Sequence, residues 1–158
     1  MPSKRDAIAL TQDELTDFLT MSRTAILVTN GPDGFPDPVA MWYAVEPGGT
    51  LWMTSYARAQ KVVNIQRDSR ASILIEDGER YLELRGAQLS GRVELVDDKD
   101  HLVAMAIELA AKYEGVHPQY TQTDLELIRE RMAKRIGLRF HVERTASWDH
   151  RKMAAAGA

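Results

Sequence analysis

The sequence predicts a mainly β fold, an antiparallel barrel of about six strands with helices at its periphery. Several short β-rich runs follow one another with links of only turn length, and parallel strands would need crossovers of a dozen residues or more. Gly, Pro and Asp mark the turns between these runs. The helical segments do not alternate regularly with the strands, which disfavours a doubly wound sheet.

The first helix is predicted directly after Thr11. Thr11 and Glu14 have the T-x-x-E spacing of a capping box, in which each side chain accepts a hydrogen bond from the other residue's backbone N–H. Leu15, Phe18 and Leu19 then place apolar side chains on one helix face. Residues 1–10 before this helix are expected to form a loose N-terminal arm.

Three strands are predicted over 24–30, 39–45 and 50–54, where β-branched and aromatic residues are frequent. A Gly-Pro-Asp-Gly turn joins the first to the second, and a Pro-Gly-Gly turn joins the second to the third. These strands therefore form an antiparallel meander. A helix over 58–67 and a strand over 71–76 follow it.

A long strand is predicted over 81–96, and its apolar residues change parity between Leu84 and Leu89. One inserted residue shifts every later side chain to the other face of a sheet. We therefore predict a β-bulge near Arg85 and Gly86, which would let the strand serve two sides of the barrel.

The last third of the chain is predicted to contain two helices and one strand. Asp97 begins a helix to about Tyr113, since acidic residues suit a helix N-terminus. Thr123 and Glu126 form a second capping box, which begins a helix to about residue 134. The last strand covers 136–142.

Length and composition exclude several classes of protein. No linker or repeat divides the 158 residues, so residues 1–158 are predicted to form one domain with a flexible tail over 154–158. The net charge of −3 favours neither nucleic acid nor an anionic membrane as a partner. The absence of cysteine excludes disulfides, thiolate catalysis and cysteine-ligated metals. Without an apolar N-terminal stretch or a run of about 20 apolar residues, a cytoplasmic location is expected.

The run L-W-M-T-S-Y-A-R-A-Q-K carries candidate anion-binding residues. Thr54 and Ser55 supply hydroxyl donors, and Arg58 and Lys61 supply positive charge. A helix that starts near Arg58 would also point its first backbone N–H groups at this turn. A cofactor phosphate suits such a cluster, and the alternative is an ordinary strand-to-helix junction with two solvated basic residues.

Metal binding is not predicted. Asp97, Asp98 and Asp100 fit a helix start better than a calcium loop, which alternates its ligands and closes with a glutamate. The four histidines lack the H-x-x-x-H spacing of a metal site, and none stands out as an axial haem ligand.

The tryptophans are candidate stacking residues. Trp52 is expected to be an ordinary buried strand residue. Trp42 suits stacking on a planar cofactor ring and packing in the core equally well. Trp148 lies near the C-terminus, where a single tryptophan often packs onto the core.

The order of the motifs resembles that of a known family. The chain contains, in order, G-P-D-G, P-x-P-V-x-M-W-Y, P-G-G, L-W-M-T-S, R-x-x-K-V-x-N-I-x-R-D and S-W-D-H-R-K. This order is similar to that of the flavin- and deazaflavin-binding split β-barrels related to pyridoxamine 5′-phosphate oxidase. Within them, the chain looks most like the branch that uses the deazaflavin coenzyme F420. The resemblance extends from about Thr11 to Lys152.

The resemblance implies a cofactor site built from several segments. The positions that match the family's phosphate site are Thr54, Ser55, Arg58 and Lys61. The positions that match the strand lining the ring system are Pro38, Val39, Ala40, Met41 and Trp42. Gln88, on the long strand, matches a stretch that reaches a cofactor from the partner subunit. Trp148, Arg151 and Lys152 match a C-terminal element that closes over the site.

The resemblance also implies a function and an assembly. It implies a homodimer with sites at the interface, and an oxidoreductase in which reduced coenzyme F420 transfers a hydride to an unsaturated or conjugated small molecule. An FMN-dependent oxidoreductase and a non-catalytic flavin or deazaflavin carrier are the alternatives. No catalytic residue is identified, and the candidate proton donors are solvent and Tyr43.

Overall fold

The computed structural model describes residues 4–115 and 119–155. The strands in these ranges are β1 (Ala25–Asn30), β2 (Pro36–Met41), β3 (Ala44–Val45), β4 (Leu51–Tyr56), β5 (Arg70–Asp77), β6 (Arg85–Val96) and β7 (Arg135–Asp149). The α-helices are α1 (Lys4–Ala7), α2 (Gln12–Met21), α3 (Gln60–Arg67), α4 (Lys99–Glu114), α5 (Gln122–Met132) and α6 (Arg151–Ala155).

All seven strands belong to one antiparallel sheet in the order β2-β1-β5-β6-β7-β4-β3. The fold class predicted from the sequence, an antiparallel split barrel with peripheral helices, is confirmed, with seven strands among the described residues rather than six. The extra strand arises because the predicted strand over 39–45 divides into β2 and β3, which lie at opposite edges of the sheet. At the break, the backbone N–H of Tyr43 donates to the hydroxyl of Tyr113 at 3.0 Å instead of continuing the ladder.

The strand β2 begins at Pro36, earlier than predicted, and contains Pro38 as well. Among the strands of the described residues, it is hydrogen-bonded only to β1. Because an edge strand leaves one row of backbone groups without a ladder partner, it tolerates residues that have no N–H. The edge position therefore explains how this proline-rich segment joins the sheet.

The core lies on the inner face of the sheet, with α2 packed across it. Alternate residues of β1, β5 and β6 are buried there, including Leu27, Ile73 and Leu89. The apolar face predicted for the first helix contributes Phe18 and Leu19. A smaller apolar cluster lies between α4 and the other face of β4.

The bulge predicted near Arg85 and Gly86 is wrong. Residues Tyr81–Glu83 form one turn of 3₁₀-helix before β6, so the apolar residues there never belonged to a strand. The register irregularity lies between Ser90 and Gly91, and the unpaired residue opposite it is Glu143 of β7. The change of parity therefore marks a change of secondary structure.

Several boundaries differ from the prediction. The first capping box, Thr11 with Glu14, is confirmed. The second lies two residues earlier than expected, at Thr121 and Asp124, because the aspartate accepts the backbone hydrogen bond predicted for Glu126. Residues 116–118, between α4 and α5, lie outside the described ranges.

The last strand, β7, continues seven residues beyond the predicted end, to Asp149. The exposed middle residues of β7 carry no alternating apolar pattern. The strand nevertheless pairs with β6 along the whole length of β6. Backbone pairing with a long neighbouring strand thus extends β7 where side-chain pattern gives no signal.

The end of the predicted N-terminal arm is held against β7 and α6. Asp149 donates its backbone N–H to the carbonyl oxygen of Ile8 at 2.7 Å, and the Leu10 N–H donates to the Ser147 hydroxyl at 3.1 Å. Lys152 Nζ donates to the Ala9 carbonyl oxygen at 2.7 Å. Both ends of the described chain are therefore joined. No helix of the described residues is long and apolar enough to span a bilayer.

Candidate cofactor site

The junction of β4 and α3 brings together three of the four predicted phosphate-binding residues. Lys61 Nζ lies 3.5 Å from the hydroxyl oxygen of Ser55, a long contact that keeps the ammonium over the end of β4. Arg58 lies in the preceding turn, and its exposed guanidinium takes part in none of the ion pairs between described residues. Two positive side chains therefore face this turn without a carboxylate to neutralise them.

The helix start at this junction is also open to an anion. The helix α3 begins at Gln60, two residues later than predicted, and its N-cap, Ala59, has no side chain that can accept a backbone hydrogen bond. No acidic residue lies in the first turn. Because the first N–H groups of a helix have no intrahelical partner, this end presents donors beside Lys61 and Arg58.

Thr54 lies on the other side of β4. Successive side chains of a strand point to opposite faces, and Ser55 shares the core face with Leu51 and Met53, whereas Trp52 faces α4. Thr54 shares the face of Trp52. The hydroxyl of Thr54 is thus not brought to the Ser55–Lys61 cluster.

A buried asparagine, which the sequence analysis missed, connects this junction to β2. Asn64 of α3 is fully buried, and its Nδ2 donates to the Thr29 hydroxyl at 3.0 Å and to the Asp37 carboxylate at 2.9 Å. Its Oδ1 accepts from the side chain of Gln60 at 2.9 Å. The available signal was an amide residue between Val62 and Ile65 on the apolar side of a helix.

The strand β2 divides the residues predicted to line the ring into two faces. Pro38 and Ala40 are exposed on the outer face, whereas Val39 and Met41 pack against the core. Only the backbone of Val39 and Met41 is therefore left for a ligand on the outer face. Trp42 follows β2 and is also exposed.

Gln88 lies on the same outer face, but far from β2. Paired positions across the sheet form the row Ala40, Ile26, Leu74, Gln88 and Ala146. Neighbouring strands are about 4.8 Å apart, so Gln88 is about 14 Å from Ala40 within one chain. One copy of the chain does not bring Gln88 to a ring bound at β2.

The three tryptophans have different environments. Trp52 is fully buried, which confirms the prediction for this residue, while the Trp42 side chain is 59% exposed. The Trp148 ring covers Gly86 so closely that a β-carbon there would lie 2.3 Å from the ring atom Cζ2. Trp148 thus packs onto β6.

The charged residues after Trp148 already have partners. Arg151 forms a two-pronged ion pair with Asp149, which lowers the pKa of that carboxyl below its ordinary value. Lys152 Nζ lies 2.6 Å from the carboxylate of Glu14. Both side chains hold α6 to the body of the domain.

Tyr43 is poorly suited to donate a proton to a substrate. Its side chain is fully buried, and its hydroxyl donates to the carbonyl oxygen of Leu19 at 2.6 Å. Burial raises the pKa of this hydroxyl above its ordinary value. Solvent remains as the candidate donor.

The acidic residues before α4 form a helix cap, as predicted. The Asp98 carboxylate accepts from the backbone N–H groups of Asp100 at 2.9 Å and His101 at 3.0 Å. Over residues 4–115 and 119–155, no three His, Cys, Asp or Glu side chains cluster as metal ligands would.

Comparison with known proteins identifies the class of this domain. The family model described as pyridoxamine 5'-phosphate oxidase matches residues 11–149. The chain therefore belongs to the pyridoxamine 5'-phosphate oxidase family of split β-barrels, as the motif order predicted. Comparison with curated proteins found no match.

Solved structures share the fold over most of the chain. A conserved hypothetical protein from Mycobacterium tuberculosis is 40% identical, with a TM-score of 0.87 over 97% of this chain and 93% of its own. An F420 reductase is 23% identical, with a TM-score of 0.62 over 92% of this chain and 98% of its own. An FAD-binding protein from Mesorhizobium loti is 20% identical, with a TM-score of 0.63 over 88% and 94%.

Proposed function

We propose that this protein is an oxidoreductase that binds reduced coenzyme F420 and transfers a hydride to an unsaturated or conjugated small molecule. The observation that carries the proposal is the open cationic junction of Ser55, Arg58 and Lys61, which Asn64 joins to the exposed strand β2. An anionic cofactor tail bound at the junction would direct its ring along Pro38 and Ala40. The solved F420 reductase with the same fold supports this choice of cofactor.

The residues at the junction fit a phosphate. Lys61 and Arg58 supply charge, and the uncapped start of α3 supplies backbone N–H groups. When bound, the cofactor would supply the hydride, while the protein binds the cofactor and orients it. Because Tyr43 is buried and hydrogen-bonded, the proton that completes the reduction would come from solvent.

We further propose that the active form is a homodimer. The outer face of the sheet presents mostly small or apolar side chains, including Pro38, Val28 and Leu74, and no helix of the described residues covers it. Exposed apolar surfaces of this kind are typical of interfaces. A second copy on this face would supply Gln88 of the partner subunit to the ring at β2, over a distance that one chain does not span. Sedimentation should give twice the chain mass of 17.8 kDa, and a monomer at titration concentrations would contradict the dimer.

The decisive experiment is a fluorescence titration with coenzyme F420 and, separately, with FMN. We expect saturable binding of F420 by the natural chain and at least hundredfold weaker binding by Arg58→Ala/Lys61→Ala. The reason is that two charge-assisted hydrogen bonds contribute about 3 kcal/mol or more together. Arg5→Ala/Arg80→Ala is the matched control, since it also removes two exposed cations but lies in α1 and the β5–β6 loop.

The outcomes of this titration test the phosphate site and the choice of cofactor separately. Equal affinity of both double variants would show that the junction is not the phosphate site. Binding of FMN alone would favour an FMN-dependent oxidoreductase, the second candidate, which the FAD-binding protein of the same fold supports. Binding of F420 without turnover of any acceptor would indicate a carrier.

A further inference from the structure

The resemblance assigned Trp42, just after the end of β2, to the cofactor ring, whereas the proposed function places that ring along Pro38 and Ala40. Trp42 instead forms the exposed part of an aromatic platform. The Trp42 indole stacks on the Tyr113 ring with centroids 4.4 Å apart and planes 9° apart. Despite this contact, 59% of the Trp42 side chain is exposed. No second ring or cation of the described residues covers it, so its other face is open.

Contacts from three parts of the chain fix this platform. The Tyr113 hydroxyl donates to the Arg23 carbonyl oxygen at 2.6 Å and accepts from the Tyr43 backbone N–H at 3.0 Å. Arg23 in turn donates to the Tyr113 carbonyl oxygen at 2.8 Å, and its guanidinium lies 4.9 Å from the ring centroid. A ring held in place before a ligand arrives loses little freedom on binding.

The platform has a positive environment. Lys112 Nζ lies 3.9 Å from the Tyr43 ring centroid and 5.4 Å from that of Tyr113, and it is buried with no hydrogen-bond partner among the described residues. Burial, together with the nearby charge of Arg23, lowers the pKa of Lys112 to about 8. Lys112 is therefore still mostly protonated at pH 7.

The acidic side chains near Arg23 lie in a neighbouring groove. The groove beside Arg23, about 480 Å³ in volume, is also lined by Glu76, Asp77 and Arg85. Asp77 is paired with Arg85 at 2.7 Å. The guanidinium of Arg23 donates to a carbonyl oxygen, and none of the ion pairs between described residues includes it.

We propose that the open face of Trp42 is the substrate subsite, and that it takes a planar, electron-poor conjugated ring that is neutral or negatively charged. This inference rests on the proposed function and names its substrate class. The face of an indole is electron-rich and prefers electron-poor rings, and the two cations behind it favour negative substituents over positive ones.

The test is calorimetric binding of anthraquinone-2-sulfonate to the protein without cofactor. We expect Trp42→Ala to weaken binding about tenfold, the effect typical of losing one stacked ring. Phe35→Ala is the matched control, because Phe35 is an exposed aromatic residue at the β1–β2 turn, and it should leave the affinity unchanged. Circular dichroism verifies that each variant is folded.

Two further measurements test the charge preference of the subsite at Trp42. Lys112→Met should weaken binding of the sulfonate several-fold while leaving that of neutral menadione unchanged. Cationic methylene blue should bind the natural chain more weakly than either quinone. Equal affinities of the natural chain and Trp42→Ala for anthraquinone-2-sulfonate would overturn the subsite, and preferential binding of the cation would overturn its charge preference.

A cofactor titration of Trp42→Ala separates this inference from the proposed function. We expect coenzyme F420 to bind this variant within about threefold of the natural chain. Loss of F420 binding together with that of the quinone would assign Trp42 to the cofactor ring and overturn the inference while the function stands. Failure of the natural chain to bind F420 or FMN would contradict the proposed function. The quinone titration would still test the binding site at Trp42.

Discussion

The two ends of β2 are held by different interactions. At the start of the strand, Asp37 accepts a hydrogen bond from Asn64, a fully buried amide that also bonds to Thr29. At the other end, Trp42 is held by stacking on Tyr113, which Arg23 contacts. The first end is a buried polar network, and the second is an aromatic stack open to solvent on one face.

The two ends of β2 should therefore differ in rigidity. Buried hydrogen bonds depend steeply on geometry and become costly when one partner is lost, so the end near the cationic junction should be rigid. Stacking tolerates lateral shifts of a ring, so the end at Trp42 can accept planar ligands of different outline. Breaking each end separately tests this interpretation.

The largest expected effect is that of Asn64→Leu. The substitution removes three side-chain hydrogen bonds and leaves Thr29 and Asp37 beside an apolar side chain, so the free energy of unfolding should fall by about 3 kcal/mol. Urea denaturation measures this loss. Gln60→Leu, which removes only one partner of Asn64, should cost less than about 1 kcal/mol, and equal losses in both variants would refute a network centred on Asn64.

A smaller effect is expected for Tyr113→Leu. This variant loses the ring under Trp42 and the hydroxyl contacts with Arg23 and Tyr43, and it should be destabilised by about 2 kcal/mol. Acrylamide quenching should also reach Trp42 more readily. Tyr113→Phe keeps the ring and should show only the stability loss from the hydroxyl; enhanced quenching in that variant as well would mean that stacking does not hold Trp42.

The smallest effect, and one of opposite sign, is expected for Lys112→Met. A lysine whose pKa is about 8 in the fold binds fewer protons there than in the unfolded chain between about pH 8 and 10.4. The stability of the natural chain should therefore rise with pH across that window. Lys112→Met removes the buried charge, so it should gain about 1 kcal/mol at pH 7 and lose this slope. Thermal melts from pH 6 to 10 check both, and a slope that persists in the variant would contradict the assignment to Lys112.

Patterns of neighbouring residues predicted much of the fold. The capping box at Thr11, the turn at 31–34 and the strand at Ala25–Asn30 follow from local side-chain chemistry, which needs no distant partner. The same reasoning failed at Tyr81–Glu83, where apolar alternation was interpreted as a strand and the chain forms a 3₁₀ turn. Short apolar runs do not separate these alternatives, because tertiary packing decides between them.

The part of the candidate site that was predicted consists of residues close together in the chain. Arg58, Lys61 and Ser55 lie within seven residues of one another, so the sequence itself brings them to one junction. Asn64 was missed because its partners, Thr29 and Asp37, are remote along the chain. Tyr113, which supports Trp42, is 71 positions away from it and carries no motif.

The sequence by itself determined the antiparallel fold class and the cationic junction, since each depends on residues close together in the chain. It also determined the family, through the order of short motifs along residues 11–149. Tertiary structure alone decided that Val39 and Met41 face the core while Pro38 and Ala40 face outward, because the face of a strand depends on its register with β1. It also decided that Gln88 lies about 14 Å from Ala40, since strand order and the spacing between strands set that distance.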